Sequence, residues 1–466
     1  MKGVFTNSSG ILCSRITGFV RDFITASILG ANLYSDIFFV AFKLPNLFRS
    51  IFAEGAFTQA FLPSFTAAKH KASFSSNIFL RLFGAVLLLS FLVTVFSDFI
   101  TMIIAWGFDD NTRRIAAPFV ALNFWYLDFV FLITFAMALL HYRKHFATSA
   151  FSTALLNIAM IAALLMARGK DEATIVWYLS FGVLVGGVLQ LLLHIAALRG
   201  KRLIPMLVGG FSSKRDSSDD RNRFYKAFTP AVFGASTTHI SAFIDTLLAS
   251  FLAVGSISYL FYANRIFQLP LSLFAIAVSM AVFPEIAKTI RRGDESGAVK
   301  LLNRNLWFLL YLLSLSAIGG ALLSEGIIWL LFERGAFERS DTLVCARVLS
   351  IYMIGLVPFG LARLISLWLY AHHNQALAAK NSAIALGFNI VFSLALIAPL
   401  GVFGLALAGS LTGLILLGLN LRAYGRERFW DMIRARYFVW LAAAVVLEIA
   451  AIEGFKIAID YQGFFS

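Results

Sequence analysis

The stretch SRITGFVRDF, residues 14–23, places two arginines and one aspartate inside an apolar run. That run extends from residue 11 to residue 29, which is close to the length of a membrane-spanning helix. A charged side chain at the centre of a bilayer costs about 2.5–3.5 kcal/mol on insertion scales. Arg15, Arg21 and Asp22 are therefore expected to face protein or a water-filled cavity rather than lipid.

The composition extends this interpretation to the whole chain. Of its 466 residues, 59% are hydrophobic and 14% are charged, whereas soluble domains carry about 25% charged residues. Apolar runs of roughly 20 residues recur along the sequence, and unbroken runs of that length cross a bilayer as helices. A barrel would instead show shorter segments of alternating hydrophobicity. The predicted fold class is an all-α polytopic membrane protein.

The distribution of cations predicts the topology. We place thirteen transmembrane helices, with centres near residues 20, 50, 92, 128, 157, 185, 238, 270, 317, 357, 388, 411 and 447. With a cytoplasmic N-terminus, 24 of the 39 Lys and Arg fall in cytoplasmic connections and seven on the opposite side. Membrane insertion produces this asymmetry, which accounts for the net charge of +14 without nucleic acid as a partner. The C-terminus is then expected on the outer, periplasmic side.

Two halves of the chain are related in sequence. ITGFVRD (16–22) aligns with ISAFIDT (240–246) at an offset of 224, and Ser35 aligns with Ser258 at an offset of 223. An even number of spans separates the halves, so the repeats are expected to be parallel, as in transporters with a central substrate site. The predicted divisions are a six-helix lobe over 1–208, a polar cytoplasmic linker over 209–223, a second six-helix lobe over 224–421, and a cytoplasmic loop with an extra transmembrane helix over 422–466.

An excess of intramembrane cations predicts an anionic ligand. Arg15, Arg21, Arg49 and Arg265 would together cost on the order of 10 kcal/mol if they faced lipid. A guanidinium group suits phosphate or diphosphate because it donates two parallel hydrogen bonds. Gly18 lies between the first two arginines and permits a bend that would let them share a face. The alternative is that each arginine pairs with a carboxylate and braces contacts between helices.

Kinks are predicted beside these charges. In KLPNLFRSIFAEGAF, residues 43–57, the proline must bend or break its helix, and the freed carbonyl groups can then face a cavity. FYANRIFQLP, residues 261–270, is the counterpart in the second half. The predicted substrate-binding residues here are Lys43, Asn46, Arg49, Glu54 and Arg265, joined by Asp36, and the predicted hinge residues are Pro45, Gly55 and Pro270, joined by Gly18.

A coupling cation is predicted from the repeat. Arg21 aligns with Asp245, so the second half carries an anion where the first carries a cation. Asp245 is a candidate ligand for Na⁺ or H⁺, with Asn389 and Ser393 as oxygen ligands of a tentative Na⁺ site. The alternative is an aspartate that pairs with a neighbouring hydroxyl group. No other cofactor and no enzyme motif is found in the sequence.

The segments SRITGFVRD (14–22), DIFFVAFKLPNLFRSIFAEGAFTQAFLP (36–63) and FYANRIFQLP (261–270) resemble the MurJ (MviN) family of lipid II flippases, within the multidrug/oligosaccharidyl-lipid/polysaccharide exporter superfamily. The resemblance implies two six-helix lobes in a V around a central cavity. It also implies that the four arginines face the substrate diphosphate and that Asp36 and Glu54 occupy acidic positions of the family. Family members commonly have fourteen helices, whereas thirteen are predicted here, and Asn264 stands where the family often has an acidic residue.

The implied activity is movement of the undecaprenyl-diphosphate-linked disaccharide-pentapeptide, lipid II, from the cytoplasmic to the outer leaflet of the bacterial inner membrane. The alternatives are a flippase for another polyprenyl-diphosphate oligosaccharide, a cation-coupled multidrug exporter, a membrane scaffold and a membrane-embedded transferase. The basic cavity disfavours cationic drugs, and a transferase would need an acid/base pair. We therefore expect a monomeric transporter rather than an enzyme, with membrane lipids and cell-wall synthesis or division proteins as further partners.

Overall fold

The computed structural model describes residues 2–51, 56–213, 217–461 and 463. Within those residues the regular structure is entirely helical. The helices are α1 (Lys2–Leu29), α2 (Leu33–Ile51), α3 (Phe57–Ala67), α4 (Lys71–Val95), α5 (Ser97–Ile104), α6 (Asp110–Phe124), α7 (Tyr126–Tyr142), α8 (Ala147–Met166), α9 (Glu172–Gly200), α10 (Ile204–Phe211), α11 (Ser218–Ala249), α12 (Ser256–Pro270), α13 (Ala277–Arg291), α14 (Glu295–Leu322), α15 (Ser324–Phe332), α16 (Arg339–Ile354), α17 (Leu356–Ala371), α18 (Gln375–Leu400), α19 (Val402–Tyr424), α20 (Arg426–Met432) and α21 (Ala435–Ala458).

The multi-pass character is confirmed. Ten continuous or paired helices among the described residues are long and apolar enough to cross a membrane. Each of the thirteen predicted centres lies in a helix, and three of those helices, α1, α2 and α11, are not among the ten. α1 and α2 each carry three of the charged residues that the sequence singles out, which lowers their apolarity, and α11 carries Asp245 together with several hydroxyl side chains.

Acidic side chains cap helices at polar connections. Asp109 accepts a hydrogen bond from the Thr112 amide (3.1 Å) at the start of α6, and Asp171 accepts one from the Thr174 amide (2.9 Å) at the start of α9. Each cap satisfies an amide that has no partner within the helix. The caps lie just outside the apolar runs, so they fix where the spanning segments begin.

The two predicted proline kinks differ in structure. Pro45 lies inside α2, which continues as an α-helix to Ile51. Pro270 ends α12 and is followed by a π-helical turn, Leu271–Ile276, before the chain enters α13. A π turn is one way in which a helix absorbs a disrupted hydrogen-bond ladder. The helix is therefore not broken at Pro45, and a bend there stays a prediction, whereas Pro270 coincides with a local change in helix geometry.

The chain divides into two compact units. The first contains residues 1–258 and 334–337, and the second contains residues 259–333 and 338–466. The sequence repeat places the division at 209–223, but α11 packs in the first unit, where Phe224 joins a core of aromatic side chains from α3, α4 and α7. The repeat and the packing thus divide the chain by different criteria, and the repeat-based lobes stay a prediction.

Candidate functional site

Small residues bring α1 close to α8 in the first unit. A Cβ atom added at Gly10 would lie 2.6 Å from the Ala150 Cβ, and one added at Gly18 would lie 3.3 Å from the Asn157 side chain. The Ser14 hydroxyl donates a hydrogen bond to the Ala150 carbonyl (2.8 Å). Gly18 is therefore a close-packing position, and it places Arg21, one turn further along this face, beside α8.

Arg21 is buried and held by two partners. Its Nε and Nη2 atoms donate to Asp22 Oδ1 at 3.0 and 2.6 Å, and Nη1 donates to Asn157 Oδ1 at 3.0 Å. Asn157 is itself fixed, because its amide nitrogen donates to the Ser14 carbonyl (3.1 Å) and the Thr17 hydroxyl (3.2 Å). The guanidinium group is thus oriented, and Asp22 offsets its charge.

Arg49 approaches the same region from α2. It is half-buried, and its Nε donates to Asn46 Oδ1 at 3.1 Å, one turn earlier in the helix. The hydroxyl group of Tyr126 lies within electrostatic range of both Arg49 and Arg21, and it donates a hydrogen bond to Gln190 (3.0 Å). Two of the predicted arginines therefore lie within electrostatic range of one buried tyrosine.

Arg15 is placed differently. Its side chain is exposed and makes no ion pair with the rest of the chain as far as the structure describes it. The neighbouring side chain of Ile16 is 56% exposed. Arg15 and Arg21 therefore point to different surroundings, although they lie on one helix.

Lys43 and Asp245 form a second charged pair in the first unit. They lie on α2 and α11, which pack against each other, and the two charges interact electrostatically. Within the described ranges no ion pair shorter than 4.0 Å joins them, and the buried Oδ1 of Asp245 has no hydrogen-bond partner. The predicted alternative, in which a hydroxyl group satisfies this oxygen, does not hold for Oδ1.

Asp36 anchors a helix end. Its carboxylate accepts hydrogen bonds from the backbone amides of Gly255 (2.7 Å) and Ser258 (2.8 Å) and from the Ser258 hydroxyl (2.6 Å). These groups form the first turn of α12, so Asp36 supplies acceptors that a helix N-terminus lacks. The structure gives Asp36 an anchoring contact, and its part in substrate binding stays a prediction.

The remaining predicted residues lie in the second unit or outside the described residues. The Arg265 guanidinium lies over the Phe261 ring at 5.1 Å from the centroid, and Asn264 accepts a hydrogen bond from Gln268. Asn389 and Ser393 are buried one turn apart on α18, whereas Asp245 belongs to the first unit. The predicted Na⁺ ligands are thus not contained in one unit. Glu54 and Gly55 lie outside the described residues.

The sequence prediction did not include three polar residues near the arginines, of which Asn157 contacts Arg21 directly. Asn157, Tyr126 and Gln190 lie on α8, α7 and α9. Asn157 and Gln190 stand in otherwise apolar runs, LLNIAM and VLQLLL, and a polar side chain at such a position marks a functional or packing site. This signal identifies them, but only the fold shows which charged residue they contact.

Comparisons with known proteins decide the family. A sequence model described as the lipid II flippase MurJ matches residues 25–463. This chain belongs to the MurJ family of lipid II flippases. A probable lipid II flippase MurJ of Helicobacter pylori strain J99 is 47% identical over 440 residues, which cover 92% of this chain and 95% of the relative. The lipid II flippase MurJ of Burkholderia cenocepacia is 30% identical over 479 residues, which cover 99% and 91% of the two chains.

Solved structures agree with this MurJ assignment. A lipid II flippase MurJ in an inward closed conformation matches with a TM-score of 0.80 at 25% identity, covering 99% of each chain. An inward-facing multidrug transporter of the MATE family matches with a TM-score of 0.71 at 11% identity, covering 90% of this chain and 95% of the transporter, which shows a shared fold alone. The predicted family and fold class are confirmed, and the family is one of transporters rather than of catalytic enzymes.

Proposed function

We propose that this protein moves lipid II across the bacterial inner membrane, from the cytoplasmic to the outer leaflet. The observation that carries the proposal is that Arg21 and Arg49, on two helices of the first unit, both lie within electrostatic range of the buried Tyr126. Arginine suits a phosphate group because its planar guanidinium donates two parallel hydrogen bonds to phosphate oxygens. The diphosphate of lipid II has the charge and the geometry that such a pair recognises.

Asp22 has a defined part in this mechanism. Asp22 accepts two hydrogen bonds from Arg21, so the buried cation has a counter-charge in the protein. A diphosphate offers more acceptor oxygens and more negative charge than one carboxylate, and it would compete for the same donors. Asn157 keeps the guanidinium plane in position during this exchange. Low dielectric around the site strengthens each of these interactions.

Transport would proceed by alternating access. Bound diphosphate reduces repulsion among the cations and permits the protein to close around its cargo, after which the site opens to the other leaflet. Each net charge that crosses the full field contributes about 2.3 kcal/mol per 100 mV, which is enough to bias the cycle. We propose Asp245 as the group that binds the coupling ion, Na⁺ or H⁺, because its buried Oδ1 has no hydrogen-bond partner among the described residues.

The orientation follows from the positive-inside rule. We propose a cytoplasmic N-terminus, a periplasmic C-terminus and a functional monomer. Cell-wall synthesis enzymes that consume lipid II on the outer face are the expected functional partners. The outward connections predicted from charge lie close together in the first unit: the Ala336 amide donates to the Ser27 carbonyl (2.9 Å), and the Gly107 amide donates to the Ser250 hydroxyl (2.9 Å). The first contact supports placing the connections after α1 and before α16 on one side, and the second supports the same for those before α6 and before α12.

The test is replacement of the endogenous protein by variants in cells that depend on it. Arg21→Lys keeps the charge but cannot make the same forked contacts, and we expect inner-leaflet lipid II to accumulate, as we also expect on depletion of the protein. Arg113→Gln is the matched control, because this arginine pairs with Asp98 and Asp110 on an exposed connection. Normal leaflet distribution with Arg21→Lys and with Arg49→Lys, at normal protein levels, would reject the proposed role of the arginines.

A further inference from the structure

A cavity in the second unit lies apart from the charged residues described above. It has a volume of about 770 Å³ and lies between α14 and α21. Small-molecule sites in proteins commonly have volumes of about 300–1,000 Å³. Both helices begin at this end, in connections that the cation distribution predicts to be cytoplasmic. The cavity therefore opens at the level where lipid headgroups meet the cytoplasm.

Each wall of this cavity changes from cationic to aromatic along its helix. On α14, the lining residues Lys300, Arg304, Trp307 and Tyr311 follow at spacings of four, three and four, which places them on one face. On α21, Arg434 precedes Tyr437 by three residues. Cations at headgroup level with tryptophan and tyrosine below them match the polarity of a membrane interface.

The cations of the cavity are not neutralised by nearby carboxylates. Over the described residues, none of Lys300, Arg304 and Arg434 forms an ion pair within 4.0 Å. Glu295, at the start of α14, lies 3.4 Å from Arg428 and 3.4 Å from His372 instead. Three positive charges thus line one cavity without a counter-ion among the side chains that the structure describes.

The aromatic residues join the two helices below the cations. The Tyr311 hydroxyl donates to the Tyr437 carbonyl (2.6 Å), and the rings of Trp307 and Tyr437 lie 5.0 Å apart. No residue of α21 for which burial is described is buried. This helix is therefore attached along a narrow line, and a ligand in the cavity would add contacts to both helices.

We propose that this cavity binds the headgroup phosphate of an anionic glycerophospholipid of the bilayer. Lys300, Arg304 and Arg434 would hold the phosphate diester, and the glycerol region would rest on Trp307 and Tyr437, with the acyl chains in the surrounding lipid. A bilayer lipid is favoured over a soluble anion because tryptophan and tyrosine follow the cations along both walls of the cavity, which is the order of side chains at a membrane interface. The proposal is independent of lipid II transport.

The test uses the full-length protein in detergent and counts bound lipid by native mass spectrometry. Phosphatidylglycerol is expected to bind more tightly than phosphatidylcholine. Each cation near an anionic headgroup contributes about a fivefold effect, so Arg304→Gln/Arg434→Gln should weaken phosphatidylglycerol binding roughly 25-fold. Arg436→Gln is the matched control, because Arg436 is an exposed arginine two residues further along α21 that does not line the cavity. Equal loss in the control, or no loss in the double variant, would overturn the proposal.

Two further arms locate the site and identify the ligand. A phosphatidylglycerol with a photoreactive group beside the glycerol should label peptides that contain residues 300–311 or 434–440, and labelling confined to other segments would contradict the site. Inorganic phosphate at millimolar concentration should not displace the lipid, whereas displacement would identify a site for free anions. The charge-reversed variant Arg304→Glu should lose the preference for phosphatidylglycerol over phosphatidylcholine, and retention of that preference would also count against the proposal.

Discussion

The hydroxyl oxygens of Ser35 and Ser258 lie 2.7 Å apart, although 223 residues separate them in the chain. These are the positions that the sequence repeat aligns with each other. Equivalent residues of the two repeats therefore meet directly, and Asp36, the neighbour of Ser35, accepts a hydrogen bond from the same hydroxyl at 2.6 Å. The contact ties the start of α2 to the start of α12.

The hydrogen bonds to Asp36 predict that two variants, Asp36→Ala and Ser258→Ala, lose different amounts of unfolding free energy. Asp36→Ala removes the acceptors for the Gly255 and Ser258 amides and for the Ser258 hydroxyl. Buried donors left without acceptors cost about 1–3 kcal/mol, so unfolding should become easier by that amount. Ser258→Ala removes one of these three hydrogen bonds and the contact with the Ser35 hydroxyl, but it leaves both backbone amides with their acceptor, so it should cost less. Unfolding by sodium dodecyl sulfate in mixed micelles measures both, and a larger loss with Ser258→Ala would contradict the anchoring role.

The contact between Asn157 and Arg21 predicts that replacing Asn157, which lies outside the site predicted from the sequence, impairs transport. Asn157→Ala removes the acceptor of Nη1, a hydrogen bond to a charged group that contributes about 1.5–3 kcal/mol. Lipid II movement should fall sharply while the protein stays folded in the membrane. Asn381→Ala is the control, because Asn381 is also a buried asparagine in a spanning helix but donates to Asn420. Similar transport by both variants would show that Asn157 contributes packing alone.

Hydrophobicity and charge predict the helices and the membrane class, because each spanning segment must satisfy its own backbone. They also identify Arg21 and Arg49, since intramembrane cations are costly wherever the helix packs. The partners were not predictable, because Asn157 and Tyr126 reach the arginines only through the packing of α1 and α2 against other helices. The sequence predicts a bend at Gly18, but the structure shows that this glycine lets α1 lie close to α8, which only the packing of the two helices reveals.

The packing of α1 on α8 predicts different effects for three glycines. Gly10→Ala would place a Cβ atom 2.6 Å from Ala150 and should destabilise the protein by about 1–3 kcal/mol. Gly18→Ala meets the Asn157 side chain at 3.3 Å, so it should reduce transport more than stability by displacing this partner of Arg21. Gly84→Ala is the control, with no atom within 4 Å of the added carbon. Thermal unfolding and the leaflet assay together separate the three outcomes.

The interaction of Lys43 with Asp245 predicts non-additive stabilities. Asp245→Asn leaves the Lys43 ammonium without its nearby opposite charge. Lys43→Met likewise leaves the Asp245 carboxylate without its nearby opposite charge. Each single variant should therefore lose stability, and the double variant should lose less than the sum of the two. A coupling energy of roughly 0.5–3 kcal/mol is expected for interacting neighbours.

The matched control pairs Lys43→Met with Asp128→Asn. Asp128 is also buried in the first unit, but it accepts a hydrogen bond from Ser90 at 2.6 Å. This pair should be additive, because the Asp128 carboxylate has its own partner. If Lys43→Met coupled as strongly to Asp128→Asn as to Asp245→Asn, the interaction would be a general effect of charge in the first unit. Additive losses for Lys43 and Asp245 would show that the two groups are electrostatically independent, and Asp245 would then be available to a coupling cation without competition from Lys43.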